Sequence, residues 1–288
     1  MATTGTNTLA TYAYRVKFYK ANLQRILRNN LVSEAICEVD RTDSYLIRNP
    51  YGSQPTAQLT TMTGTYTIDD YSTVNDSLTV DKECKVAEHV YDFEKTLLNY
   101  DMFANRADEQ AYIFAQSVDE YVLNYIGTEA GESYTTPAGG FTTAANVITI
   151  LSNLVSKMAG YADVYKGLFL VLENTDTTGL LTSQATNGYS FADLALKNGL
   201  LTHMMGVDIY VVRSGTFNSD TLGGKAMGML THKLFGVKNT ATYAAPRGMQ
   251  VEEKSVSGKT GKEIVTWGYV GAAVWLQKAN LLVDITLA

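Results

Sequence analysis

Apolar positions recur at two spacings along this chain, and the changes of spacing mark its elements. Val16, Tyr19, Leu23, Ile26 and Leu27 follow helical spacing within residues 12–27. They predict a short amphipathic helix that needs a partner surface, because an isolated helix of that length is marginal in water. Met62, Tyr66 and Ile68 alternate with Thr61, Thr63, Thr65 and Thr67, the period of a strand, and a turn-rich break follows over Asp69 to Asp76. Leu78 and Val80 resume the alternation, which runs through Lys95 into the longest helical pattern of the chain. That pattern covers Asp101 to Ile126, with Ala107, Ala111, Phe114, Val118, Tyr121, Val122 and Tyr125 on one face and Gly127 as the expected stop. At ~1.5 Å per residue it is a rod of roughly 35 to 40 Å.

The second half reads differently. Gly, Glu, Ser, Thr and Pro dominate residues 127–140, the expected domain boundary. A helix follows with Val147, Ile148, Leu151, Leu154, Val155 and Met158 on its apolar face, then strand 167–172, a helical stretch at Phe191 to Lys197, and strand 207–212. Helix, strand, helix, strand predicts a compact α/β unit. After Pro246 come strand Met249 to Val256, a Ser-Gly-Lys-Thr-Gly-Lys turn, strand Ile264 to Tyr269, and apolar strand material to Leu287. The whole is expected to be an α+β chain.

Residues 49–81 stand apart because they hold no Lys or Arg, and 11 of the 32 residues from 49 to 80 are Ser or Thr. So few large apolar side chains cannot form a core, which predicts a long two-stranded excursion, stable only against another surface. Charge adds a second asymmetry. The chain carries −6 overall and its first 30 residues +5, from Arg15, Lys17, Lys20, Arg25 and Arg28, which leaves −11 on residues 31 to 288. A basic arm on an acidic body suits an anionic partner, nucleic acid or an acidic neighbouring surface; an ordinary solvated helix face is the alternative. Thirteen of the 19 tyrosines lie in the first 134 residues, which points to contact surfaces or to a wet, half-buried sheet. The longest apolar stretch, Tyr269 to Leu276, is far short of a membrane span, and the start lacks the basic and apolar run of a secretory signal. Cys37 and Cys84 make neither a disulfide framework nor a zinc pattern, so a reducing cytoplasm is expected.

Candidate chemistry is sparse. His89, His203 and His232 are far apart, and although His89 adjoins Glu88 and Asp92, each is expected to be structural. Gly258-Lys259-Thr260 imitates the end of a phosphate-binding loop, but Glu253 stands where the first glycine belongs and both flanks read as strands. Asp69-Asp70 and Glu252-Glu253 are sequence neighbours, not carboxyls converging from different environments. No catalytic, metal or cofactor-binding residue is assigned, and no cofactor is expected.

The order of basic arm, polar hairpin, alternating strands, long helix, α/β unit and final strands resembles the major capsid protein of tailed double-stranded DNA bacteriophages, the HK97-type fold. The residues that carry it are Leu78 to Lys95 with the helix at Asp101 to Ile126, and Gly199 to Ser214, which resembles the helix-to-strand passage of the family's axial domain. The resemblance implies an N-terminal arm (1–35), an extended β-hairpin loop (46–82), a peripheral domain (83–134 and 246–288) with its spine helix at 101–126, and an axial domain (135–245). It implies arm contacts with nucleic acid or neighbouring subunits through Arg15, Lys17, Lys20, Arg25 and Arg28. Inter-subunit loop contacts would fall to Met62, Tyr66, Ile68, Asp69, Asp70 and Tyr71, and the core face of the spine helix to Ala111, Phe114, Val118, Tyr121 and Val122. Such a chain is not an enzyme. It forms pentamers and hexamers of an icosahedral head around double-stranded DNA, assembles in the host cytoplasm and ends in the virion. Its partners would be itself, a separate scaffolding protein, a portal protein, the packaged DNA and a decoration protein, with no membrane. Without a lysine in residues 49–81, loop-borne lysine crosslinking is not expected. An encapsulin-like nanocompartment shell, a soluble α/β enzyme and a tail or decoration protein are the alternatives.

Overall fold

The computed structural model describes residues 31–52, 58–59, 62, 64–65, 67–70, 72–90, 102–158, 167–180, 200–204, 206–218, 232–246, 248–255 and 262–288. Along them run helix α1 (Ser33–Ile36), strands β1 (Glu38–Asp40), β2 (Leu46–Gly52), β3 (Thr73–Thr79) and β4 (Lys82–Val90), and the long helix α2 (Met102–Thr128). Next come β5 (Glu132–Thr135), α3 (Ala144–Met158), β6 (Leu168–Glu173), β7 (Leu200–Met204), β8 (Val207–Val212), β9 (His232–Val237) and β10 (Ala241–Ala244). The chain finishes with β11 (Gln250–Ser255), β12 (Lys262–Val274) and β13 (Leu282–Thr286). The helices expected at 12–27 and 191–197 lie outside the described residues, as do residues 257–261 of the expected turn.

Three sheets form among the described residues. A six-stranded mixed sheet has the order β5-β13-β9-β6-β8-β7. In a five-stranded sheet, β12 pairs with β11 and β4 through its first part and with β10 through its last, and β1 lies beyond β10. The β2–β3 hairpin forms a sheet of its own, in register from Leu46 opposite Thr79 to Gly52 opposite Thr73.

Strand period explains how the six-stranded sheet serves two cores. On β6 every residue is buried, and alternate side chains part company. Phe169 and Val171 join the core of α2, whereas Leu168, Leu170 and Leu172 join that of α3. Helix α3 lays Val147, Ile150, Leu151, Leu154 and Met158 on its side, each side chain worth about 1.5–3 kcal/mol of burial. Helix α2 buries Ala111, Phe114, Val118, Tyr121 and Val122, the expected face, and its cluster also draws Cys84, Tyr243, Ile264 and Val270 from the five-stranded sheet. The helix therefore packs against residues of both sheets. Two short passages also cross between them, β9 to β10 through Asn239, a residue at φ 60°, and β12 to β13 through the 3-10 turn Leu276–Leu281.

Several expectations need correction. The alternation at 61–68 does not form a strand among its described residues; the paired strands lie on either side, β2 before and β3 after. The threonine-rich alternation offers no wide apolar face, and its described residues Met62, Thr65, Thr67 and Ile68 are exposed. The expected break at 69–76 is half occupied by β3, which begins at Thr73. Gly127 does not stop α2, which runs on through Thr128, since a buried glycine without left-handed backbone continues a helix. The supposed linker at 127–140 contains β5, paired in parallel with β13. The described part of Gly199 to Ser214 is a β7–β8 hairpin rather than a helix-to-strand passage, and Gly206 at φ 81° supplies the backbone its turn requires. The division at residue 246 does not follow the sheets either. β13 and β5, assigned to the peripheral part, pair within the six-stranded sheet, and β10, assigned to the axial part, pairs within the five-stranded one. Such long-range pairings leave no trace in local periodicity.

Candidate assembly surface

The β2–β3 hairpin is fastened at its root. Leu78 and Val80 are buried with Ala244, Ala273 and Trp275, the indole of which donates to Thr242 Oγ1 at 2.8 Å. The Val80 N–H donates to the Tyr45 carbonyl at 2.9 Å, and Tyr45 meets Tyr269 edge-on with ring centroids 5.6 Å apart. From the far side the Leu276 N–H donates to Asp76 Oδ2 at 2.9 Å. At Gly271 of β12 the hairpin passes so close that a Cβ would sit 3.1 Å from Leu78 Cδ2, Thr79 O and Val80 Cα.

Beyond the root the hairpin has little beneath it. Its seven-residue strands reach about 20 Å. Past them, the Gln58 side-chain amide donates through Nε2 to the Thr67 carbonyl at 3.0 Å and accepts the Thr67 N–H at Oε1 at 2.8 Å. Met62 is 106% exposed, Leu59 106% and Ile68 78%, and Asp69 and Asp70 are exposed as well. Three large apolar side chains in water on one excursion are an unfavourable arrangement for a chain that stays alone. Tyr66 and Tyr71 lie outside the described residues.

The other site residues of the sequence reading do not join them. The α2 face from Ala111 to Val122 is consumed in the core of its own chain. Arg15, Lys17, Lys20, Arg25 and Arg28 lie outside the described residues. What is described is the attachment of the segment that follows them. Asp119 of α2 accepts the N–H of Val32 at 3.0 Å and of Ser33 at 2.9 Å, capping the start of α1 from outside. Burial pushes the Asp119 carboxyl up to about 6 against the pull of those hydrogen bonds. Sequence reasoning missed Asp119, and it missed the exposed Tyr45, Leu46 and Val74 of the hairpin and Tyr112 and Ile113 of α2. For the last two a signal existed, since they sit off the apolar stripe of their helix.

A cavity of about 70 Å³ among the described residues, between Glu34, Arg41, Phe114 and Tyr243, is small beside ligand pockets, which run to ~300 Å³ and more. Among the described residues no three metal-ligating side chains converge, and no helix is long and apolar enough to cross a membrane. Burial drives the Cys37 thiol upward and the Cys84 thiol to about 12, away from reactive thiolate chemistry.

No protein-family model and no curated protein matches the sequence. Solved structures match the fold. The asymmetric unit of the mature capsid of bacteriophage PhiM1 aligns with a TM-score of 0.67 over 90% of this chain and 87% of that one, at 12% identity. The capsid of the cyanophage P-SCSP1u aligns at 0.64 over 90% and 89%, at 13% identity. The chain has the HK97-type capsid fold. A virus-like particle from Pyrococcus furiosus aligns at 0.61 over 93% of this chain and 97% of that one, at 10% identity. At such identities the HK97-type likeness lies in the order and pairing of elements rather than in shared residues.

Proposed function

We propose that this chain is the major shell subunit of a tailed-phage head, a structural protein rather than a catalyst. Copies assemble into pentamers and hexamers, and these into an icosahedral shell around double-stranded DNA. The observation that carries the reading is the match of fold along nearly the whole of both chains to phage capsids, at 90% and 87% coverage for PhiM1. The hairpin supports it independently, since its exposed Leu59, Met62 and Ile68 need a surface that the described chain does not supply. In this reading the hairpin and its tip are the extended loop, α2 is the spine helix, and Met62, Ile68, Asp69 and Asp70 meet a neighbouring subunit. The five-stranded sheet belongs to the peripheral domain and the six-stranded sheet with α3 to the axial domain, with β5 and β13 moved into the latter. The basic arm contacts an acidic neighbour or the genome. Assembly proceeds in the host cytoplasm with a separate scaffolding protein, a portal, and in the finished virion a decoration protein.

A second reading, a nanocompartment shell that loads proteins instead of DNA, is favoured by the alignment with the Pyrococcus furiosus particle, which covers 97% of that chain. One experiment separates the readings. The expressed full chain is sized by light scattering and imaged by negative-stain electron microscopy, and particle contents are digested with nuclease and analysed for DNA and protein. Megadalton shells, or free pentamers and hexamers awaiting a scaffold, are expected without protein cargo. Shells with protein cargo move the assignment to the second reading, and a stable monomer or dimer without capsomers overturns both.

A further inference from the structure

One buried cluster has no part in the shell reading and does not depend on it. Lys233 of β9 is 0% exposed, yet it lies between two carboxylates that are buried themselves. Its Nζ is 3.2 Å from Glu173 Oε2 at the end of β6 and 3.1 Å from Asp176 Oδ2 in the 3-10 turn that follows. The Phe217 ring closes the site, its centroid 5.6 Å from Nζ. Glu173 is fixed through its other oxygen, which accepts the N–H groups of Gly215 at 3.1 Å and Phe217 at 3.2 Å. A buried lysine needs one carboxylate for neutrality, and a second brings like-charge repulsion that uptake of a proton relieves. Of the two carboxyls, Asp176 is the one whose hold on a proton is strengthened. Burial pushes its carboxyl up, the Lys233 charge opposes this, and the Glu173 charge adds to it. A dry site thus holds an amine, a carboxyl inclined to be protonated, and a fixed carboxylate within reach of the amine.

We propose that Lys233 and Asp176 are the reacting pair of an intrachain isopeptide bond, and that Glu173 moves the proton. Glu173 takes one proton from the ammonium, leaving a neutral amine of the kind that desolvated lysines supply as nucleophiles. Nζ, 3.1 Å from Asp176 Oδ2, attacks Cγ of protonated Asp176. The N–C bond forms and the C–OH bond breaks. The hydroxyl leaves as water with a second amine proton, and the first proton remains on Glu173, which passes it to solvent. Ammonium and carboxyl become amide and water, so the step needs no oxidant, metal or nucleotide. The product ties β9 to the turn after β6 and stiffens the centre of the six-stranded sheet.

The test is the intact mass of the purified full chain, followed by a tryptic map. The expected mass is lower than that of the sequence by one water. In the map, cleavage after Lys233 is absent and the peptides bearing Asp176 and Lys233 appear as one branched species. Glu173→Gln, which keeps the amide-sized side chain, and Asp176→Ala are expected to fold by circular dichroism and to show the full mass. The wild-type chain decides the matter even where a variant fails to fold. Full mass after prolonged incubation at neutral pH overturns the bond, as does a lost water that maps to other residues. A Glu173→Gln chain that loses water as completely as the wild type overturns the role of Glu173.

Discussion

Asp119 shows how much one side chain settles locally. It is a buried carboxylate that spans two segments, and its acceptors satisfy the Val32 and Ser33 N–H groups at the start of α1. Held at about 6, above an ordinary aspartate, it makes the folded chain bind more protons than the unfolded one between about pH 4 and pH 6. Its contribution to stability is therefore fullest below about pH 4 and is lost as pH rises through 6. The displacement is worth about 3 kcal/mol. Asp119→Asn keeps one acceptor and cannot titrate. Urea midpoints at about pH 4.5 and pH 7.5 are expected to show the wild type losing ground to this variant as pH rises, by up to about 2 kcal/mol. Parallel pH dependences in the two chains would remove Asp119 as the titrating group. A second residue, Gly271, guards the hairpin root by its lack of a side chain. In Gly271→Val, methyl groups meet the backbone of Thr79 and Val80, which cannot turn aside as a flexible side chain would. The expected result is a chain destabilised by about 1–3 kcal/mol that becomes readily cleaved in β3 under limited proteolysis, and that yields fewer particles.

The hairpin is the element on which assembly rests in the proposed reading, and it divides into a root that belongs to the subunit and a tip that belongs to something else. Substituting both Met62→Asp and Ile68→Asp changes side chains that are 106% and 78% exposed. Subunit stability is expected to stay within about 0.5 kcal/mol. Particle yield, read by sedimentation, is expected to collapse because charge is placed where a neighbour must seat apolar groups. Unchanged particles would return the tip to an incidental surface. A truncation of the tip, deletion of 53–72, spares Asp76 and its bond to the Leu276 N–H. This element also marks the limit of what the sequence made legible. Helix α2 was readable because its stripe of Ala111, Phe114, Val118 and Tyr121 repeats over many turns, and β8 because Val207 to Val212 is a short apolar run bounded by Gly206. The hairpin's existence was readable from its lack of basic and large apolar residues. Its strands were misplaced because β2 and β3 pair with each other and pack at their root against Gly271 of β12, rather than following an alternation of their own. The buried polar groups were invisible for the same reason. Gln110 on α2 accepts from Thr266 of β12 at 2.8 Å and donates to Glu88 of β4 at 3.2 Å, and only the folded chain brings these three residues together.

At the scale of the molecule, two sheets share one helix and are crossed by the chain at Asn239 and again after Trp275, so the subunit forms an interlocked body. Identical acidic bodies placed side by side repel one another, and residues 31 to 288 carry −11 in each copy. The five basic residues of the arm are the concentrated counter-charge that the same chain brings. If the arm serves neighbours, removing residues 1–28 leaves the repulsion unanswered. The truncated chain is then expected to assemble poorly at about 0.05 M salt and to recover at about 1 M, where charges are screened beyond ~3 Å, while the full chain assembles at both. Sedimentation of the two chains at the two ionic strengths reads this directly. Equal assembly at low salt would show that the arm's charge is not needed between subunits and would turn its basic face toward the genome. In that case the difference moves to the contents, and truncated particles are expected to protect less DNA from nuclease than full-length ones, with the deficit growing as salt is lowered because the lost contacts are ionic.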